Sequence, residues 1–333
     1  MNKHIMVFKR RYAIGAGAAA VFVAGMLALT AGAGASSSSG TVAWDSANTG
    51  NDFYISTECD TKAYAPSVGL NVKYYGSTPF AASAQLPVLD SIAATQPKGL
   101  ILATTDTVAL DPALKTMDAA GTKIIAFDNA PADLSLGDGF VTTNNGKGGA
   151  ALADQVNKSL HGKGTVQPID LRPGVQAVNE RTAGFLAEIK KYPGIKVLPT
   201  QFDQEETTND AQIVSSTLSA NPNVSAFVPM YDQAAEGVVP ELKNLGKAGS
   251  VKVFSMDADP VIVSWVKQGL IQAVGSSPPI LEAQLALKLM KEALAGKKIS
   301  PKEVIVPMTV ITKANINTPA VRKEVWVSSC SKA

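Results

Sequence analysis

The sequence predicts an α/β fold of two similar lobes, each a parallel sheet with helices on both faces. Three observations predict it. Short apolar runs alternate with amphipathic segments along the chain, the spacing that builds parallel sheets. One run, Ile124 to Phe127, lies between Gly121 and Pro131 with no polar residue inside it and ends in Asp128, as a strand buried on both faces would. The same pattern recurs at Lys252 to Asp257, Lys-Val-Phe-Ser-Met-Asp. With 333 residues and 46% hydrophobic content, the length favours two lobes over one.

In order, Thr41 to Trp44 reads as the first strand, and the loop Ser46 to Asp52 leads into a helix carrying Phe53, Tyr54 and Cys59. Leu70 to Tyr75 is a second strand, followed by a helix through Leu86, Leu89 and Ile92. Gly99 to Ala103 is a third, with Thr104-Thr105-Asp106 at its end and a helix through Leu110, Leu114 and Met117 behind it. The Ile124 run is the fourth and Gly139 to Thr143 the fifth. From Asn144 the scheme starts again. Helices are expected at Ala150 to Leu160, Val178 to Lys191, Asp210 to Ala220, Gln233 to Leu245, Val261 to Gln268 and Ile280 to Leu294. Strands are expected at Thr165 to Leu171, Ile195 to Pro199, Ala226 to Val228, Val251 to Met256 and Leu270 to Gly275, with Val304 to Thr312 as a last extended piece. Two such sets imply a cleft between lobes, and the carboxyl ends of parallel strands are where ligands bind, so Asp128 is either a ligand contact or a cap for the next loop.

The N-terminus has the three parts of a secretory signal: a basic start through Lys9-Arg10-Arg11, an apolar segment from about Ala13 to Leu29, and small residues at Ala33-Gly34-Ala35. Residues 1–35 read as a signal peptide cleaved after Ala35, and 36–40, Ser-Ser-Ser-Ser-Gly, as a linker. The alternative is an uncleaved anchor, since Ala13 to Ala35 is long enough to span a bilayer. The residues around Arg10-Arg11 fit the twin-arginine route poorly, and no Cys near the cleavage region supports a lipid-modified end. Taking the four basic residues of this segment from the total of 30 leaves 26 against 28 acids, a balance that gives no electrostatic reason to expect nucleic acid. Outside the cytoplasm the isolated pair Cys59 and Cys330 is expected to be bridged, tying the C-terminal tail to the first helix.

Catalytic and cofactor signatures are missing where they would matter. Gly146-Lys147-Gly148-Gly149 lacks the Ser or Thr after Lys of a phosphate loop, and no Gly-x-Ser-x-Gly elbow occurs after the signal. His161 is the one histidine beyond it, so no Ser-His or Cys-His pair and no metal site is expected. The expectation is a non-enzyme without cofactor.

Several ordered segments carry a resemblance: Asn51-Asp52-Phe53-Tyr54, Thr105-Asp106, Phe127-Asp128, Asn144-Asn145 with Gly148-Gly149, Asn179 to Phe185, Tyr192 to Ile195, Ala220 to Asn223, and Met256 to Pro260. In this order and spacing the chain resembles the type I periplasmic binding proteins, specifically the ribose- and galactose-like sugar binders of ABC importers, over roughly residues 41–317. The resemblance implies a three-crossing hinge near Asn144, Ser276 and Pro307. Lobe one would be 41–143 plus 277–306, and lobe two 144–276 plus 307–333. It implies an extracytoplasmic monomer that closes on a small polar solute, a sugar or polyol, and delivers it to a membrane permease.

Position by position, Asn51, Phe53 and Tyr54 match an asparagine and aromatic pair that contact sugar, Asp128 and Asp257 the carboxylates, and Arg181 the cationic donor. An aromatic face suits the apolar C–H side of a sugar while an amide bonds its hydroxyls. The sequence departs from the pattern at Ala103, Asn129 and Ser276, where asparagine, arginine and glutamine are expected, and at Met230-Tyr231-Asp232 in place of an asparagine. Asn129, Tyr231 and Ser276 therefore join the candidate ligand contacts, and the ligand is expected to be less uniformly hydroxylated than ribose. A ligand sensor signalling to a membrane protein shares these features. A DNA-binding repressor would need an N-terminal helix-turn-helix where this chain has its signal.

Overall fold

A computed structural model describes residues 41–332. The expected signal and linker lie outside the described residues. Two sheets organise the rest. The first contains β1 (Val42–Ser46), β2 (Val72–Gly76), β3 (Gly99–Leu102), β4 (Lys123–Phe127), β5 (Gly139–Thr143) and, from late in the chain, β12 (Glu303–Val306). Their order is β12-β5-β4-β3-β1-β2, all parallel. The apolar β3 and, after its half-buried Lys123, the apolar run of β4 take central places and are buried, while the mixed β2 and β12 take the edges.

The second sheet contains β6 (Gly164–Asp170), β7 (Ile195–Val197), β8 (Gln201–Phe202), β9 (Ala226–Pro229), β10 (Lys252–Met256), β11 (Ala273–Ser276) and β13 (Thr309–Thr312). Its order is β13-β11-β10-β9-β6-β7, with β8 also on β6. It is not wholly parallel, because β13 runs antiparallel to β11. The expected single piece from Val304 to Thr312 is thus two strands in different sheets, divided at Pro307, which lacks the N–H to carry a ladder onward.

The chain changes sheet three times: between β5 and β6 through α4 (Asn145–Ser159), between β11 and β12 through α9 (Pro279–Leu294), and between β12 and β13. The fold is two α/β lobes with helices on the sheets. The remaining helices that matter to the cleft are α1 (Asp52–Tyr64), α5 (Gln176–Ile189) and α7 (Asp232–Asn244). After β13, α10 (Pro319–Arg322) leads into a tail that returns to the first lobe, where Cys330 is bonded to Cys59 of α1 as expected. That tail also holds Val327 N–H to the Ser56 hydroxyl at 2.8 Å.

Helix α4 starts five residues before the expected Ala150, because its early glycines lie inside the helix, Gly148 and Gly149 as packing residues, rather than in a turn. The Asn144 side chain accepts from the Lys147 amide at 3.1 Å and caps it. A Cβ on Gly149 would fall 1.9 Å from the Arg181 carbonyl oxygen, so α4 and α5 touch backbone to backbone. Gly149→Ala is expected to force these helices apart at a cost of about 1–3 kcal/mol, more than helix propensity returns. A denaturant midpoint equal to or above wild type would refute that close approach.

Candidate functional site

Besides the helices already placed, α2 (Ala82–Ala94), α3 (Asp111–Ala119), α6 (Thr207–Ala220) and α8 (Pro260–Gln268) lie on the sheets away from the cleft's main contacts. Asp128 and Asp257 stand at the carboxyl ends of β4 and β10, the matching positions of the two sheets, and both have left-handed backbone, φ 58° and 71°. Few side chains other than glycine accept that conformation, though aspartate tolerates it better than most. Each still extends its ladder by one bond, Asp128 N–H to Val141 O at 2.9 Å and Asp257 N–H to Gly275 O at 2.6 Å. The strained residue therefore sits at the point where the strand turns into the cleft, and both carboxyls line one interlobe cavity of about 500 Å³ of non-atom space, part of it open to solvent.

The first lobe contributes Asn51, which caps α1 by accepting from the Phe53 amide at 2.9 Å, together with Phe53 and Tyr54 on its first turn. Tyr54 donates its hydroxyl to Asp128 Oδ2 at 2.7 Å, and the Asn129 amide donates to the same oxygen at 2.7 Å. The rings of Phe53, Tyr54 and Phe80 form an aromatic wall, Phe53 edge-on to Tyr54 at 5.2 Å and Tyr54 stacked on Phe80 at 6.4 Å.

The second lobe contributes Arg181, two turns into α5. Its guanidinium makes four hydrogen bonds to described residues: Nε to Asn145 Oδ1 at 3.0 Å, Nη1 to Met230 O at 3.1 Å and Asp257 Oδ2 at 2.6 Å, and Nη2 to Ser277 Oγ at 3.2 Å. Arginine has five donors, so Arg181 is chiefly a knot joining two of the sheet crossings to β10. Burial opposes its charge, but Asp257, Asp128 and Asp232 outweigh burial and hold it above its ordinary value.

The lobes meet directly. Asn51 Nδ2 donates to Asp232 Oδ2 at 3.0 Å, the Ala177 amide donates to Asn129 Oδ1 at 2.8 Å, and the Ala130 amide donates to Gln176 Oε1 at 3.1 Å. Arg172 Nη2 donates to Phe80 O at 2.8 Å. These are the contacts of a closed cleft.

Of the expected contacts, Asn51, Phe53, Tyr54, Asp128, Asn129, Arg181, Tyr231 and Asp257 all line the cavity. Tyr231 offers its ring only, since its hydroxyl donates to Asp203 Oδ1 at 2.7 Å. Ser276 is not among the lining residues. It is buried, and its hydroxyl donates to the Glu324 carbonyl at 3.0 Å, so the returning tail occupies the place from which it would reach a ligand. Asp232, Glu205, Phe80 and Trp326 line the cavity without having been singled out. Trp326 comes from that tail: its indole N–H donates to the Ser277 carbonyl at 3.1 Å and its ring meets Phe53 at 5.3 Å. The apolar triplet Val325-Trp326-Val327 close to Cys330 was the available signal, because a bridge to Cys59 brings it to α1.

Burial raises the cleft acids. Asp128 is pushed up to about 6 by burial, with the Tyr54 hydroxyl, Arg181 and the Asn129 amide pulling it back and Asp257 pushing it further. Asp45, buried at the end of β1 beside Gln85, is pushed up to about 7 by burial. A carboxyl whose folded value exceeds its unfolded one gives stability that is full below the unfolded value and lost as pH rises through the folded one. The unliganded protein is therefore expected to melt at a higher temperature at pH 5.5 than at pH 8. Scanning calorimetry showing no change, or the reverse order, would contradict the raised values.

Among known proteins, a model described as a periplasmic binding protein domain matches residues 42–298. The D-ribose/D-allose-binding protein of Pseudomonas aeruginosa is 26% identical over 259 residues, covering 74% of this chain and 80% of that protein. The D-allose-binding periplasmic protein of Escherichia coli is 25% identical over 259 residues, covering 75% and 83%. An ABC transporter solute-binding protein from Agrobacterium vitis, solved with α-D-tagatopyranose, superposes with a TM-score of 0.83 at 27% identity, covering 86% of this chain and 99% of that one. These relatives carry the names of binding proteins, and proteins of this kind act outside the cytoplasm. With its two α/β lobes, its three sheet crossings and a family match over most of its length, the chain belongs to the periplasmic binding protein family.

Proposed function

We propose that this protein captures a sugar or polyol outside the cytoplasm and hands it, lobes closed, to the permease of an ABC importer. The observation that carries this reading is the cavity itself. An aromatic wall from Phe53, Tyr54, Phe80 and Trp326 faces Asp128, Asp257 and Arg181 between two lobes, the pairing of ring faces with charged hydrogen-bonding groups that a hydroxylated ring requires. Relatives named for ribose and allose point the same way.

Asn51, Phe53, Tyr54, Asp128, Asn129, Arg181, Tyr231 and Asp257 form the ligand site in this reading, joined by Asp232 and Trp326. Ligand bridging the lobes favours the closed state, and the permease reads that state. The hinge divides the chain into 41–143 plus 277–306 and 144–276 plus 307 onward, with the tail beyond α10 returning to lobe one. The protein acts as a binder, so its ligand is released unchanged, and the secreted form begins after Ala35, which N-terminal sequencing would establish.

The test is a melting-shift screen of pentoses, hexoses, polyols and their modified forms, followed by small-angle scattering with and without the hit. A stabilising hydroxylated solute that compacts the protein is the expected result. A panel in which none stabilises it would overturn the assignment.

A further inference from the structure

The cavity holds more acid than its guanidinium can balance. Among the described residues, Asp128, Glu205, Asp232 and Asp257 line it, and the one lining cation is Arg181. Arg181 is matched to Asp257 at 2.6 Å with both side chains buried, so that pair is balanced. Glu205 is partly answered by Arg172 at the cavity mouth.

Asp128 and Asp232 remain, one from each lobe, and the donors on them are neutral. Asp128 has the Tyr54 hydroxyl and the Asn129 amide, and Asp232 has the Asn51 amide and the backbone of Gln233. Glu282 of α9, buried and bonded by the Thr143 hydroxyl, lies near enough to Asp128 for that acid to push it up further. A second feature points to a missing donor. Asp257 lines the cavity and is almost wholly buried, yet its Oδ1 has no hydrogen-bond partner among the described residues.

A neutral sugar would give these oxygens hydrogen bonds but would leave the charge imbalance in place. A buried carboxylate without a counter-charge is costly, and the group keeps its proton instead. An ammonium supplies up to three donors and the opposite charge at once. We propose that the solute is a polyhydroxylated molecule carrying a protonated primary amine, of the amino-sugar or aminocyclitol class, with its ammonium held by Asp128 and Asp232.

This deepens the sugar-receptor reading and rests on it. It also carries a signature that a neutral ligand would lack. Burial holds Asp232 well above the ordinary carboxylate range, which favours its protonated form in the unliganded cleft. An ammonium arriving beside it drives that proton off to solvent, leaving an ion pair, and the heat of binding then varies with the ionisation enthalpy of the buffer.

The experiment is calorimetric titration of the secreted protein at pH 7.5 with matched sets. These are D-glucosamine, D-glucose and N-acetyl-D-glucosamine, the three galactose counterparts, and an aminocyclitol with its parent cyclitol. In at least one set the amine should bind tenfold or more tightly than its hydroxyl parent, with proton release. In the hexose sets, acetylation should remove the advantage. Asp128→Asn and Asp232→Asn should each shrink the amine-to-parent ratio, and the wild-type comparison stands even if either variant fails to fold. Neutral parents binding as tightly as their amines in every set would overturn the amine and leave the sugar-receptor reading intact. If no compound of either kind binds, both fall together.

Discussion

Arg181→Met should unfold at markedly lower denaturant than wild type, by about 3–5 kcal/mol, the cost of removing one partner of a buried ion pair. The reasoning is local. Asp257 would keep its burial and lose its counter-charge, while Asn145 Oδ1, Met230 O and Ser277 Oγ would each lose a donor. Because two of those residues lie where the chain changes sheet, the loss should also loosen the relation between lobes, so ligand binding should fail before the fold does. Adding Asp257→Asn should recover part of the stability, since it removes the orphaned charge, and the coupling between the two changes can be read from a double-mutant cycle. A single-variant loss under about 1 kcal/mol would mean that the guanidinium is replaceable by solvent, and the hinge role assigned to it would be wrong.

Trp326→Ala should be nearly as severe for a different reason. The indole is 3% exposed and packs on Phe53, so its removal leaves a gap in the aromatic wall beside that ring. Truncation of buried aromatics costs about 3–5 kcal/mol, and ligand affinity should fall at least tenfold. Trp326→Phe restores ring area without the indole N–H to Ser277 and should recover most of the stability. Isothermal titration and chemical denaturation on both variants decide it. Wild-type affinity in Trp326→Ala would show that the tail merely covers the site.

The sequence carried the architecture well because strand and helix periods differ and the strand runs are short and apolar. The rule that ligands meet the carboxyl ends of parallel strands placed Asp128 and Asp257 at matching strand ends, while choosing a cleft contact over a loop cap took the family resemblance as well. Arg181 was legible as a cleft cation but not as a knot, since Asn145, Met230, Asp257 and Ser277 come together only when three distant segments fold. Trp326 was missed for the same reason in stronger form, its neighbour Phe53 being far away along the chain. Ser276 was placed by position in a family pattern, and position could not reveal that the Glu324 carbonyl takes its hydroxyl. Asp232 follows Tyr231 in the triplet that departs from the family pattern, and only the fold shows its acid bonded across the cleft by Asn51.

The returning tail also fixes an order of events. The cavity draws its walls from Asn48 through to Trp326, and the last of them lies beyond β13, after both sheets are complete. Both sheets can therefore be complete while the cavity still lacks its last wall. That wall arrives with the final segment, which the Cys330–Cys59 bond secures to α1. A protein clipped after α10 is therefore expected to lose the Trp326 wall of the cavity and the Cys59–Cys330 bond together, and with them both stability and affinity.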